Sequence, residues 1–152
     1  MHRILLVLPL FAILAVVGCG GGNQLKTNKV SGTVTLDGQP VEGANLGFSP
    51  VNTSEGTPAG GRTDAAGRYR LQTPLGKADA GTTPGRYKVT ISKAKMVGTG
   101  QFRTGDQGKR VEDQQSVQLM PAKTADIKTT DIEVTVENKG ENVFNFDLKS
   151  GT

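Results

Sequence analysis

Hydrophobic and polar residues alternate over several short segments of this 152-residue chain. From Lys29 to Leu36, the apolar residues Val30, Val34 and Leu36 alternate with serine and threonine, and an Asp-Gly pair follows as a turn signal. A period of two is typical of a β-strand with one face buried and the other in water. The same pattern predicts further strands at 44–48, 60–63, 68–72, 87–92, 132–136 and 143–148.

The distribution of turn residues favours one fold class. Glycine and proline recur between the predicted strands, and no segment has helical periodicity over more than about ten residues. We therefore predict an all-β fold in which two antiparallel sheets form a sandwich. The aromatic side chains expected between the sheets are Phe48, Tyr69, Tyr87, Phe144 and Phe146. The alternative for them, an exposed platform that stacks on sugars, is disfavoured because such platforms favour tryptophan and this chain has none.

The N-terminal segment has the pattern of an export signal. Arg3 precedes an apolar run over 4–17, and Val-Val-Gly leads into Cys19. The run is shorter than the roughly 20 apolar residues of a membrane-spanning helix and suits the core of a secretory signal peptide. The segment closely resembles a bacterial lipoprotein signal, whose lipobox ends in cysteine. The resemblance implies that residues 1–18 are removed and that Cys19 carries the lipid. An ordinary signal peptide or an uncleaved anchor is the alternative.

The expected domain organisation follows from this signal. Residues 1–18 form the signal peptide, residues 19–28 the lipidated cysteine and a Gly-rich tether, and residues 29–152 one domain. We expect an exported protein of the cell envelope that contacts the membrane through the lipid on Cys19. Gly20 stands where lipoproteins retained at the inner membrane carry aspartate, which favours the outer membrane or the periplasmic face.

The single histidine and the single cysteine restrict the chemistry. His2 lies in the predicted signal peptide, and lipidation would consume the thiol of Cys19. The mature chain would then lack an imidazole base, a thiol nucleophile and the usual zinc ligands, and it could form no disulfide. We therefore predict no catalytic residues, no cofactor and no metal site, although enzymes built on carboxylates or hard-metal sites remain open.

Acidic residues are the remaining candidates for chemistry. Asp131 and Glu133 lie two apart on a predicted strand, so both point to one face, as paired acids or hard-metal ligands do. A solvated sheet face is the favoured interpretation, because Lys128 is near and no calcium-loop motif accompanies them. Asp37 and Asp64 are interpreted as turn formers.

A segment at 94–115 departs from the strand pattern. It carries basic residues among glycines and glutamines, and it exceeds the about 12–15 residues of ordinary loops. We expect a long loop, with disorder favoured over a functional role. Arg103, Lys109 and Arg110 are the candidate contacts for an anionic partner. The net charge of +4 is modest, and an exported protein is not expected to bind nucleic acid.

Four motifs carry a family resemblance. They are Val-Ser-Gly-Thr-Val at 30–34, Asp-Gly-Gln-Pro-Val-Glu-Gly-Ala at 37–44, Thr-Asp-Ala-Ala-Gly-Arg-Tyr at 63–69 and Pro-Gly-Arg-Tyr-Lys-Val at 84–89. Together they resemble the signature of carboxypeptidase regulatory-like domains over residues 29–93. The C-terminal part, 119–148, resembles the ending of small bacterial lipoproteins built on this domain. The resemblance implies a transthyretin-like Greek-key sandwich of about seven strands, used as an accessory or interaction module without a catalytic domain.

The expected function combines these features. We expect a non-enzymatic, membrane-anchored envelope lipoprotein whose β-sandwich binds an envelope protein. A carbohydrate- or cell-wall-binding module is the alternative, with a glycan as the partner. A carboxylate-dependent hydrolase is a third possibility, and it requires two facing acids about 5–10 Å apart in a cleft.

Overall fold

The computed structural model describes residues 26–74, 76 and 80–151. The predicted signal peptide, Cys19 and the tether up to residue 25 lie outside these residues. The described strands are β1 (Lys29–Leu36), β2 (Gln39–Pro40), β3 (Asn45–Pro50), β4 (Ala59–Arg62), β5 (Arg68–Arg70), β6 (Gly85–Ser92), β7 (Ala94–Thr104), β8 (Arg110–Gln118), β9 (Glu133–Val136), β10 (Glu141–Val143) and β11 (Phe146–Leu148). A 3-10 turn (Asp106–Gly108) and a short helix, α1 (Ala122–Ala125), complete the elements. No helix in the described ranges is long and apolar enough to cross a bilayer.

One sheet is centred on β1. Its first half pairs in parallel with β10, and its second half pairs in parallel with β11. β5 runs antiparallel to β1, with Gly32 opposite Tyr69, and β2 turns back onto the end of β1. This sheet therefore joins the first and last strands of the described chain.

The second sheet is antiparallel and has the order β4-β3-β6-β9. The inner strand β6 shows the pattern that builds the sandwich: Tyr87, Val89 and Ile91, every second residue, are fully buried. The residues between them are more exposed, because successive side chains of a strand point to opposite faces. The buried face of this sheet packs against the buried face of the β1 sheet.

Phe48 occupies the centre of the core between the sheets. Its ring centre lies 6.4 Å from that of Tyr69 and 6.2 Å from that of Tyr87. The rings of Phe144 and Phe146, from the C-terminal segment, each lie 6.4 Å from Phe48. Separations of this size are typical of packed aromatic pairs. The aromatic cluster thus joins the two sheets and includes the C-terminal segment.

The structure confirms the predicted all-β sandwich. The prediction that both sheets are antiparallel is wrong for the β1 sheet, because β1 pairs in parallel with β10 and β11. Each segment predicted as a strand contains one, with boundaries shifted by no more than two residues. The last of them, 143–148, is divided into β10 and β11 by Phe144 and Asn145. The carbonyl oxygen of Phe144 turns inward and accepts the Tyr69 hydroxyl at 2.8 Å. Gly32 permits this crossing, because a Cβ there would lie 1.8 Å from that oxygen.

The sandwich begins one residue earlier than predicted. Asn28, the last residue of the predicted tether, is 8% exposed. Its backbone nitrogen donates to Thr82 O at 2.7 Å, and its carbonyl oxygen accepts from Thr82 N at 3.1 Å. This isolated bridge makes Asn28 part of the fold rather than part of a flexible tether.

Candidate functional site

The segment predicted as a long loop is a β-hairpin, so that prediction is wrong. β7 and β8 pair antiparallel from Ala94 opposite Gln118 to Thr104 opposite Arg110. Neither strand pairs with any other strand in the described part of the chain. We refer to residues 94–118 as the arm. At a rise of about 3.3 Å per residue, the 11 residues of β7 make the arm about 35 Å long.

Cross-strand contacts hold the arm together despite its glycines. β7 contains a bulge at 98–102, where the register with β8 shifts. Within the bulge, Gly100 adopts φ +74° and its backbone nitrogen donates to the Glu112 carboxylate at 3.0 Å. The Thr99 hydroxyl donates to Asp113 O, also at 3.0 Å. These hydrogen bonds join residues that lie 14 and 12 positions apart in the sequence. Contacts of this kind produce no local alternation of apolar and polar residues, so the hairpin could not be predicted from the sequence pattern.

The arm exposes apolar side chains on both of its faces. The register places Val97, Val111 and Val117 on one face, which we call the valine face, and Met96 and Phe102 on the other, the aromatic face. No arm residue is buried. Met96 is 59%, Phe102 53% and Val111 42% exposed. These apolar residues were not singled out from the sequence, because Phe102, Val111 and Val117 each lie between polar residues, and Met96 and Val97 form only a short pair.

The three basic residues predicted to contact a partner lie in the outer half of the arm but on different faces. Arg103 Nε lies 2.8 Å from the carboxylate of Asp113 on the valine face. The Arg110 guanidinium lies 4.6 Å from the ring centre of Phe102 on the aromatic face. Lys109 follows the 3-10 turn at the tip. The structure does not gather them into one cationic patch, and their contact with an anionic partner stays a prediction.

The arm is nearly neutral overall. Its basic residues are Lys95, Arg103, Lys109 and Arg110, and its acidic residues are Asp106, Glu112 and Asp113. Charges of both signs are therefore interspersed along the arm, which is a pattern suited to matching a complementary surface rather than to general attraction of anions.

The predicted acidic pair forms no shared site. Asp131 lies 2.7 Å from Lys123 Nζ, and Glu133 lies 3.4 Å from Arg86. The hydrogen bond from Lys123 holds the pKa of the Asp131 carboxyl below its usual range. Each acid thus pairs with its own exposed cation, Lys123 or Arg86, and not with Lys128, which was expected from the sequence. Among the described residues, no group of three or more His, Cys, Asp or Glu could hold a metal ion.

Asp64 is a turn former, as predicted. Its carboxylate accepts hydrogen bonds from the backbone nitrogens of Ala66 and Arg68, both at 2.9 Å. The bond from the Arg68 backbone is the main cause that lowers the pKa of Asp64. Asp37 also lies in a turn, at φ +51°, but its carboxylate accepts from Ser150 N at 3.1 Å and so ties the turn to the C-terminus.

The aromatic residues predicted for the core are confirmed there. Tyr87 is 0%, Phe48 1%, Tyr69 2% and Phe146 8% exposed, and Phe144 packs against them. Burial raises the pKa of the Tyr69 phenol above its usual range, so the hydroxyl remains a hydrogen-bond donor. Because these rings lie between the sheets, they cannot form a sugar-stacking platform.

A second exposed feature lies on the outer face of the β1 sheet. It is an open groove of about 610 Å³ whose lining includes Arg62, Arg68 and Arg70. Arg68 Nε lies 3.0 Å from the Asp64 carboxylate, and Ser31 donates to Glu141 at 2.9 Å. Sequence reasoning missed this groove, although the Arg-Tyr-Arg alternation at 68–70 places two arginines in water and the tyrosine in the core. The polar side chains that line the groove thus bond largely to one another.

Comparisons with known proteins give little further information. No protein-family model matches the chain, and no curated protein matches its sequence. A search of solved structures finds the crystal structure of a 9R-lipoxygenase from Cyanothece PCC8801 at 11% identity. The match covers 82% of this chain but 16% of the lipoxygenase, with a TM-score of 0.33. A likeness at this level supports no inference about fold or activity.

Proposed function

We propose that this chain is a non-enzymatic lipoprotein of the bacterial cell envelope that binds another protein through the arm. The lipobox ending in Cys19 and the Gly-rich segment after it support the anchor. The motifs that resemble carboxypeptidase regulatory-like domains support an accessory β-sandwich. The sandwich body then serves as a rigid base, and the arm supplies the contact surface.

The single observation that carries this proposal is the exposure of the arm. All of its residues are at least partly exposed, and Phe102 and Met96 leave more than half of their surface in water. A two-stranded hairpin is marginally stable in water by itself. Exposed apolar residues on such an element contribute nothing to the core, whereas they suit association with another protein.

The proposal also agrees with the chemistry available to the chain. Its only histidine is His2, and its only cysteine is Cys19. The predicted pair of acids, Asp131 and Glu133, points to separate cations rather than into a common cleft. Binding by surface contact requires none of these groups.

Site-specific photocross-linking in intact envelopes tests the contact surface. A photoreactive residue at Phe102, on the arm, is expected to give a discrete cross-linked protein. The matched control is the same residue at Val143, which is 60% exposed on the sandwich body. The proposal predicts no discrete protein from the control. Equal cross-linking at both positions would contradict it, and a glycan at Phe102 would favour the carbohydrate-binding alternative.

Metabolic labelling with a fatty acid tests the anchor. The parent chain is expected to incorporate the label, and Cys19→Ala is expected to lose it. Stable anchoring needs more than one acyl chain, and Cys19→Ala can carry none on residue 19. The variant should therefore also leave the membrane fraction or accumulate as uncleaved precursor. Undiminished label in Cys19→Ala would disprove lipidation at this residue without affecting the conclusion from Phe102.

A further inference from the structure

The outer edge of β8 is the best-formed open strand edge of the arm. β8 runs from Arg110 to Gln118 without glycine, proline or bulge. The opposite edge, that of β7, is interrupted by the bulge at 98–102, where Gly100 has a positive φ. Bulges protect an edge from pairing with another strand, and a regular edge lacks that protection. Pairing with an added strand is therefore expected at β8.

The hydrogen bonds of the arm show which backbone groups of β8 face outward. Gly105 N donates to Lys109 O at 2.8 Å, and Leu119 N donates to Lys93 O at 2.7 Å. In an antiparallel pair, every second residue bonds to its partner strand. Odd-numbered residues of β8 therefore bond toward β7, and even-numbered residues, including Arg110 and Glu112, direct their backbone groups to the open edge.

The charges at the start of this edge are self-complementary. The order Lys109, Arg110, Val111, Glu112, Asp113 places two cations before a central valine and two anions after it. When this segment runs antiparallel to a copy of itself about Val111, each cation meets an anion. Lys109 also has extended backbone, with φ −73° and ψ 138°, so it continues the line of β8.

We propose that β8 pairs antiparallel with β8 of a second copy of this chain, with the two Val111 residues opposite each other on a twofold axis. Arg110 then lies opposite Glu112 of the second copy on the aromatic face, and Lys109 lies opposite Asp113 on the valine face. The open backbone groups of Arg110 and Glu112 pair with each other, as an antiparallel ladder requires. The result is a closed twofold dimer that contains one four-stranded sheet, with β7 at each outer edge.

The charges also select against the neighbouring registers. A shift by one register step in one direction places Glu112 opposite Glu112 of the second copy, and a shift in the other direction places Arg110 opposite Arg110. Like charges directly opposite each other destabilise a strand pair. A register centred on Gln114 would pair more residues without charge matching, and it is the competitor that an experiment must distinguish.

Disulfide trapping in the full chain distinguishes these registers. In the proposed register the two Val111 residues form a pair without backbone hydrogen bonds, about 4.5 Å apart between Cα atoms, within the range a disulfide can span. We expect Val111→Cys to give a disulfide-linked dimer in envelopes under mild oxidation. Gln114→Cys is the matched control, since its two copies would lie about 20 Å apart. The parent chain controls for any contribution of Cys19.

Charge exchange in the Val111→Cys background tests the complementarity. One variant carries Lys109→Glu and Arg110→Glu, and the other carries Glu112→Lys and Asp113→Lys. Each variant alone should give at least about tenfold less dimer, because like charges then face each other. Co-expression of the two variants with different tags should restore a mixed dimer, which also shows that their arms remain formed.

The outcomes separate this inference from the proposed function on which it rests. A disulfide-linked dimer of Val111→Cys that responds to charge exchange supports the β8 pairing. Preferential trapping of Gln114→Cys, no trapping of either variant, or a Val111→Cys dimer that does not respond to charge exchange overturns it. A different envelope protein cross-linked at Phe102, together with no trapping of Val111→Cys, would retain the arm as a binding element and refute pairing with a second copy.

Discussion

The sandwich body and the arm are both built from paired β-strands, but they are stabilised in different ways. In the body, β6 buries Tyr87, Val89 and Ile91 on one face. In the arm, both faces of the ribbon remain exposed, and its strands are joined by backbone pairing and by contacts such as that between Arg103 and Asp113. Strand pairing alone can therefore shape a surface element, whereas burial of one face is what makes the body stable.

The largest expected effect is the loss of the central aromatic ring of the body. Phe48→Ala removes a side chain that is 1% exposed and contacts four other rings. Removing it should lower the free energy of unfolding by about 3–5 kcal/mol, through lost burial and a cavity. Denaturant unfolding followed by circular dichroism measures the change. Phe102→Ala on the arm is the control and should change stability by less than about 0.5 kcal/mol. Similar losses for both variants would show that the arm is part of the cooperative core.

A smaller effect is expected at the crossing between β1 and the C-terminal segment. In Gly32→Ala the new Cβ would lie 1.8 Å from the Phe144 carbonyl oxygen, so the backbone must move. Overpacking of this kind costs about 1–3 kcal/mol. Gly140→Ala is the matched control, because no heavy atom lies within 4 Å of its Cβ position. If both variants unfold at the same denaturant concentration, the close crossing is not as described.

Local opening should distinguish the arm from the body without any mutation. Residues of the arm have exposed side chains on both faces, whereas the amides of β6 lie in the centre of a four-stranded sheet. Amide hydrogens of β7 and β8 should therefore exchange at least about 100-fold faster than those of β6. Hydrogen-exchange mass spectrometry measures this ratio. Equal protection would mean that the arm opens only when the whole domain unfolds.

The smallest expected effect is the response of the β4–β5 turn to pH. The folded state holds the pKa of Asp64 below its usual value, mainly through the hydrogen bond from the Arg68 backbone. The stabilisation is therefore complete above the ordinary carboxyl range and is lost as the pH falls through the lowered pKa. Asp64→Asn should flatten this part of the stability profile below about pH 4. Unfolding midpoints of both proteins at several pH values test this, and parallel profiles would contradict it.

Most of the body could be predicted from the sequence because its strands alternate locally. β1 and β6 each follow a period of two, and the turn at Asp64 has recognisable chemistry. The division of the last strand could not be predicted, because it depends on how Phe144 crosses Gly32, which is far away in sequence. The arm was missed for the same reason. Its glycines suggest a loop, and its bulge is held by Glu112 and Asp113 from the opposite strand.

The three basic residues singled out from the sequence show the limit of reasoning from charge. Arg103 and Arg110 were grouped because they are close in the chain, whereas the hairpin register places them on opposite faces. Glu112 and Asp113, the acidic residues that follow Arg110, were not singled out, although the pattern of both signs is what distinguishes β8. Only the strand register shows which charges share a face.

Removal of the arm separates partner binding from the stability of the body. Leu119 N donates to Lys93 O at 2.7 Å, so the two ends of the arm meet and a two-residue Asn-Gly turn can replace residues 94–118. The measurement is chemical cross-linking in native envelopes, with the denaturant midpoint of the shortened chain as a check on folding. We predict that the shortened chain keeps the midpoint of the parent and yields none of its cross-linked species. A shortened chain that folds and still gives the same cross-linked species would show that the arm is not the binding element, and one that cannot fold would show that the body is not stable without the arm.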